Sequence, residues 1–303
     1  MIFRLMKYVL LASSKDQASC TMKDYLIEYE DYAPLSSNYS PGFKNNNEEK
    51  SNPGNPTPKI EYEVFRSKKH ENVNLLVLNE ELVNLSNLDN LVFEKGLLIF
   101  LSKHASKSKI PALTSHFTGN FSSNASLGGS PLELGSTYPT FQKMYMKNLV
   151  DMNGDLPQYD LTIEATHHGP TSSANPLMFI EIGSSEKEWK NKLAASLVCK
   201  CILHTIDEDF KRQEKKDSKI AIGIGGNHYS DKFNKLILSS DVAFASIASK
   251  YNLRFIDKEM LKQMRNKSIE QVTEIYLDKK SLGSEKHRLI SLAEEEDLAI
   301  NFV

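Results

Sequence analysis

Short apolar runs bounded by polar and turn-forming residues recur along this 303-residue chain, and they predict strands over residues 6–12, 60–66, 73–78, 97–101, 112–116, 160–165, 176–182 and 219–224. Helical spacing falls between several of them, over 16–29, Tyr138 to Met152 and Glu285 to Glu296. The clearest helix begins after Ser185. There Ser185 and Glu188 have capping-box spacing, and Trp189, Leu193, Leu197 and Cys201 follow along one face that should pack on a sheet. Alternation of strands and helices predicts an α/β fold, with a mixed, mostly parallel central sheet flanked by helices. A single domain over residues 1–303 is expected, because no internal repeat and no linker divides the pattern.

Two polar stretches interrupt it. Residues 36–58 are rich in Ser, Asn, Pro and Gly and predict a flexible insertion. Residues 118–137 form a second long loop, which starts beside a histidine-bearing strand end and is therefore a candidate lid. The charged stretch from Asp207 to Lys219 predicts a solvated face or turn. Met1 to Leu11 superficially resembles a signal peptide, but Lys7 breaks the apolar run and no small-residue cleavage site follows, so it is expected to be the first core strand.

Composition narrows the function. Lys plus Arg total 37 against 39 for Asp plus Glu, so no global positive field recruits nucleic acid, and any RNA contact must be local; DNA is not an expected partner. No apolar run approaches the ~18 residues needed to cross a membrane. The three cysteines, Cys20, Cys199 and Cys201, contain no CxxC, which argues against a disulfide framework or a cysteine-built zinc site and fits a reducing cytoplasm.

The chemistry sits where the apolar runs end. Glu164-Ala165-Thr166-His167-His168-Gly169-Pro170 places a carboxylate and two imidazoles, the residue types that bind zinc or move protons near neutral pH, before a sharp Gly-Pro turn. His116 precedes Gly119-Asn120, His104 ends Ser102-Lys103-His104, and His228 follows Gly225-Gly226-Asn227, where glycines let backbone approach a ligand closely. Glu181 leads to Gly183-Ser184-Ser185, a turn whose free N–H groups suit a phosphate or a developing oxyanion. Since the carboxyl ends of strands form the ligand crevice in open α/β sheets, these residues are expected to share one pocket there. Adjacent His167 and His168 need not share one metal, and the spacing is not HExxH. Gly223-Ile224-Gly225-Gly226 fails the dinucleotide fingerprint, and no Walker A motif is present. His70, His204 and His287 lie in surface-like contexts and are assigned no chemistry.

In order and spacing, SKH at 102–104, LTSH at 113–116 with TGN at 118–120, EATHHGP at 164–170, EIGSS at 181–185 and GGNHY at 225–229 resemble the archaeal-type D-aminoacyl-tRNA deacylases over about residues 1–275. Lys103 stands where that family carries Arg, keeping the charge but losing the bidentate fork, and 36–58 reads as an insertion. The resemblance implies a phosphorylase- and hydrolase-like fold and a cytoplasmic, zinc-dependent enzyme. Its reaction would be hydrolysis of the ester between a D-amino acid and the terminal ribose of tRNA, bound by its acceptor end. It implies metal ligands among His104, His116, Glu164, His167, His168 and His228, two zinc ions per chain, and a monomer. His168, His228 and Glu181 are the expected catalytic residues. Lys103, Asn120, Gly183, Ser184, Ser185, Gly225, Gly226 and Asn227 are the expected substrate contacts. A nucleoside phosphorylase-like transferase and a non-catalytic tRNA-end binder are the rival readings.

Overall fold

A computed structural model describes residues 6–35, 62–86, 88–91, 95–211 and 218–303. The predicted insertion at 36–58 lies outside the described residues, as does part of the charged stretch between Asp207 and Lys219. In chain order the elements are β1 (Lys7–Ser13), α1 (Gln17–Tyr29), β2 (Tyr32–Pro34), β3 (Tyr62–Ser67), β4 (Val73–Leu78), α2 (Leu88–Leu91), β5 (Gly96–Ala105), β6 (Ala112–Phe117), α3 (Pro139–Met152) and β7 (Asp160–Ile163). Then follow β8 (Leu177–Ser184), α4 (Glu186–Trp189), α5 (Lys192–Lys211), β9 (Lys219–Ile224), α6 (Asp231–Ser239), β10 (Val242–Ala248), α7 (Lys258–Asn266), β11 (Glu274–Leu277), α8 (Lys286–Glu295) and β12 (Ala299–Phe302).

The strands form two sheets. One has eight strands in the order β2-β3-β4-β1-β5-β8-β6-β7, and the other has four parallel strands in the order β10-β9-β11-β12. The expected mixed α/β class holds, and the described part of the first apolar run lies in a core strand, with Tyr8 to Ala12 buried. On the large sheet, alternate residues of β1, β5 and β8 face α1, α3 and α5 in one apolar core, while Val9, Leu11, Leu98, Phe100 and Phe179 fill a second core on the other face. The small sheet packs Ile222, Ile224 and Ile275 against Met260 and Leu261 of α7 and Leu289 of α8.

Two expectations need correction. The helix after Ser185 is broken: the capping box starts only the short α4, and Asn191 Oδ1 then accepts hydrogen bonds from Leu193 N (2.9 Å) and Ala194 N (3.2 Å) to start α5. The restart changes the helical phase, so Leu193 is 64% exposed while Ala194 and Val198 take the buried positions. Nor do the strands deliver their polar residues to a common carboxyl edge. β6 runs antiparallel to β8, and β7 runs parallel to β6, so His116 and Glu164 approach from the opposite direction to His104 and Glu181. The shared site therefore lies on a sheet face rather than at its rim.

Candidate metal centre

Strand register builds the first half of the site. His104 stands opposite Gly183, Ser102 and Thr114 opposite Glu181, and His116 opposite Phe179. Side chains two apart share a face, so His104, Glu181, Thr114 and His116 project together, over a layer formed by the stacked rings of Phe100 and Phe179 at 4.6 Å. Gly183 is needed where it is, because a Cβ there would lie 2.6 Å from both Cβ and the carbonyl oxygen of His104.

The second half comes from the segment after β7, which bridges the two sheets. Glu164 N donates to Ser115 O in the large sheet, whereas Ala165 N donates to His228 O and Thr166 N to Ile247 O on the small-sheet side. This zipper carries Glu164 beneath the cluster and draws in the loop of His228. His168 then takes φ +42°, a left-handed conformation that costs ~1 kcal/mol or more for a residue with a Cβ, and it is held by Gly119 N donating to its carbonyl at 2.8 Å. Gly169 donates to Leu127 O, and a Cβ on it would meet Gly129 N at 2.1 Å.

Residues 118–137 are thus a buttress for the HHGP turn rather than a lid. Asn120 Nδ2 is spent on Gly128 O and Ser130 O, Thr171 and Ser172 hydroxyls donate to Glu133, and Leu134 N donates to Gln263 Oε1.

The cluster is dense and lacks a strong cation. His228 Nε2 is 2.7 Å from Glu164 Oε2, and His167 Nε2 is 3.9 Å from the same oxygen. His104 Nδ1 lies 3.2 Å from Glu164 Oε1 and 3.4 Å from Glu181 Oε2, and His116 Nε2 lies 3.8 Å from Glu181 Oε1. Among the described residues no Lys or Arg pairs with either glutamate, although both are buried. Burial raises the cost of ionising Glu164, but His104, His228, His116 and His167 outweigh it and hold its carboxyl well below the usual range. Glu181 is lowered in the same way, with His104 and His116 overcoming burial. Burial, then the neighbouring His116 and His168, keeps His167 far below the ordinary imidazole value, and burial with His116 brings His168 to about 4. Burial also disfavours charge on His104, yet Glu164 and Glu181 raise it to about 10.

These residues fit a metal ion. The Nδ1 atoms of His116, His167 and His168 each meet a backbone carbonyl, of Phe117 at 3.1 Å, Ala165 at 2.8 Å and Gly169 at 2.6 Å. That bond fixes the tautomer and leaves Nε2 with its lone pair. His116 Nε2 is buried without a hydrogen-bond partner, and Glu164 Oε1 is buried with its one contact to His104 Nδ1 at 3.2 Å. Three trios have ligand atoms within 4.8 Å of one another: His116, His167 and His168; Glu164, His167 and His228; and His104, Glu164 and Glu181. An all-nitrogen-and-oxygen set of this kind suits zinc and other divalent first-row metals.

All the expected metal and catalytic residues are therefore brought together, but the expected substrate contacts are scattered. Lys103 faces the helix side, its ammonium 5.8 Å from the Trp189 ring centroid and its N–H donating to Asp16. Ser184 Oγ donates to Ile110 O, and both Ser185 N and Ser185 Oγ donate to Glu188, so the EIGSS turn is occupied by its own capping. Gly225 and Gly226 adopt φ +109° and +74° to pass beside Ser281 and Ser230, while Asn227 is exposed. The sequence assigned no role to Thr114, whose hydroxyl donates to Glu181, or to Tyr229. Tyr229 OH lies 2.9 Å from His104 Nε2, so both ring nitrogens of His104 are engaged, and the ring orients the two carboxylates. The period-2 spacing of Thr114 and His116 was the available signal; the Tyr229 contact spans 125 residues and left none.

The D-aminoacyl-tRNA deacylase family profile matches residues 93–301. A D-aminoacyl-tRNA deacylase of Thermococcus onnurineus is 39% identical over 235 residues, covering 76% of this chain and 83% of the relative. One of Pyrococcus furiosus is 32% identical over 300 residues, covering 97% and 98%. The crystal structure of a conserved protein of unknown function superposes with a TM-score of 0.80 at 26% identity, over 98% of this chain and 95% of that one. The chain belongs to the D-aminoacyl-tRNA deacylase family.

Proposed function

We propose that this protein is a zinc-dependent D-aminoacyl-tRNA deacylase acting in the cytoplasm, hydrolysing the ester between a D-amino acid and the 3′-terminal ribose of tRNA to release both. The observation that carries the reading is the convergence of five histidines and two buried glutamates, from both sheets, on one face that the solvent reaches through His167, His168 and His228. We assign His116, His167 and His168 to one of two zinc ions, and Glu164 with His228 to the other. Bound there, zinc supplies Lewis acidity for activating water and polarising an ester carbonyl.

The chain's own groups handle the rest. Hydrolysis requires a proton to leave water and one to reach the departing ribose oxygen. Glu181 is buried, but His104 links it to the hydroxyl of the partly exposed Tyr229, which gives those protons a path between carboxylate and surface. The phenylalanine layer under His116 and the Gly169 turn keep the imidazoles in place without rearrangement. We assign the exposed Asn227, next to His228 in the chain, to a ribose hydroxyl.

The test compares matched D-Tyr-tRNA and L-Tyr-tRNA. Release of D-tyrosine with the L-ester spared is the expected result. Binding of the tRNA end with no release from either ester would contradict it.

A further inference from the structure

The ligand-bearing segment 164–168 runs between two sheets that share no strand, and it meets the small one at an edge. Among the described residues β10 pairs with β9 on one side only, so its other side offers N–H and C=O groups to a neighbour. Thr166 takes both from one residue. Its N–H donates to Ile247 O at 2.9 Å, and its hydroxyl accepts from Ile247 N at 3.1 Å, where a neighbouring strand would present a carbonyl. Both residues are buried. The other branch of the side chain lies against Gly119, just past the end of β6: a Cβ there would be 3.0 Å from Thr166 Cγ2. The residues flanking this clasp are tied to the large sheet, since Glu164 N donates to Ser115 O and His167 forms an isolated parallel bridge with Thr118. Ala165 N donates to the carbonyl of His228, the one candidate ligand carried by the small sheet.

We infer that Thr166 is a positioning residue of the metal centre: its hydroxyl clasps the edge of β10 and thereby sets His228 against Glu164 and His167. This role rests on the metal-centre reading above, and it names what holds the two halves of that centre in register. The clasp depends on an oxygen acceptor. A methyl in place of the hydroxyl would leave the Ile247 N–H buried and unpaired, so the segment and the edge strand would part to admit water. Serine, by contrast, keeps the acceptor and loses only the methyl against Gly119. Because metal affinity depends on the groups that orient the ligands, loss of the hydroxyl should weaken zinc binding about ten-fold or more.

The test is chelator competition for zinc in the wild type, Thr166→Val and Thr166→Ser, with the visible spectrum of cobalt-loaded protein reporting ligand geometry. Thr205→Val is the control, since it also removes a buried hydroxyl bond, from Thr205 Oγ1 to Cys201 O within α5, and touches no candidate ligand. Thr166→Val should hold zinc about ten-fold or more weakly and change the cobalt spectrum, whereas Thr166→Ser and Thr205→Val should match the wild type. Where valine prevents folding, Thr166→Ala takes its place and is held to the same outcomes. Wild-type affinity and spectrum in Thr166→Val, a loss in Thr166→Ser as deep as in Thr166→Val, an equal loss in Thr205→Val, or no zinc binding by the wild type would overturn the inference. None of these readings uses tRNA. If zinc affinity follows the hydroxyl but D-Tyr-tRNA is not hydrolysed, the reaction falls and the positioning role stands.

Discussion

His228 Nε2 and Glu164 Oε2, 64 residues apart in sequence, lie 2.7 Å apart, and this contact ties the small-sheet loop to the carboxylate beneath the large-sheet histidines. Glu164 touches His104, His167 and His228, and with His167 it is one of two residues shared by two of the three candidate ligand trios. Glu164→Gln keeps the shape and removes the charge. Zinc affinity should fall by about a hundred-fold, within the range seen when metal-site partners are removed, and deacylation should fall with it. Metal analysis after dialysis against a weak chelator reads this directly, and a variant that retains full zinc would remove Glu164 from the centre.

Tyr229 offers a milder perturbation. Its hydroxyl is 2.9 Å from His104 Nε2, and its ring lies edge-on to both His104 and His228. Tyr229→Phe keeps the ring and removes the link. A fall in kcat of about ten-fold or more, with zinc content retained, is expected for a group that conducts protons rather than holds metal. Unchanged kcat across pH would exclude that role.

The glycine opposite His104 gives a prediction about packing. A methyl at Gly183 would press on His104 Cβ and its carbonyl oxygen at 2.6 Å, both on a well-packed strand pair. Gly183→Ala should cost about 1–3 kcal/mol of stability, as overpacking does, and displace the imidazole from its two glutamates. Activity should therefore fall further than the shift in Tm alone explains. Wild-type turnover in a stable Gly183→Ala protein would show that the position of His104 does not matter.

How much of this was legible differs by level. Residues 73–78 and 219–224 match their strands end to end, because short, mainly apolar, β-branched runs flanked by polar residues admit little else. All six candidate ligands fall in one cluster, since imidazoles and carboxylates placed behind apolar strands have few other uses. What sequence spacing could not supply was direction. Nothing in LTSH shows that β6 opposes β8, so the expected carboxyl-edge crevice became a sheet face. Likewise, Lys103 and His104 are adjacent, and strand alternation sends only one of them into the site. Ser185, read as a substrate contact, is bonded within its own helix's capping box, and a helix N-terminus satisfied by its own Ser and Glu looks in sequence like one open to a ligand.

Lys143 gives a pH prediction remote from the metal centre. Its ammonium donates to the carbonyls of Ile237, Ser240 and Val242, between the end of α6 and the start of β10, while burial first, and then Lys147, draw it down to about 8 against the opposing charge of Asp241. Between pH 8 and the ordinary lysine value of ~10.4, the unfolded chain binds a proton that the folded chain has lost, so this group makes stability rise with pH. Denaturation series over that window should show a less positive slope in Lys143→Gln than in the wild type. Identical slopes would mean that Lys143 keeps its proton in the fold.

The central claim is best tested by adding zinc back to metal-stripped protein in the presence of D-Tyr-tRNA. The account predicts negligible release of D-tyrosine before addition, and recovery that rises with bound zinc and is lost in His167→Ala. Full deacylation by protein shown to be metal-free would contradict it.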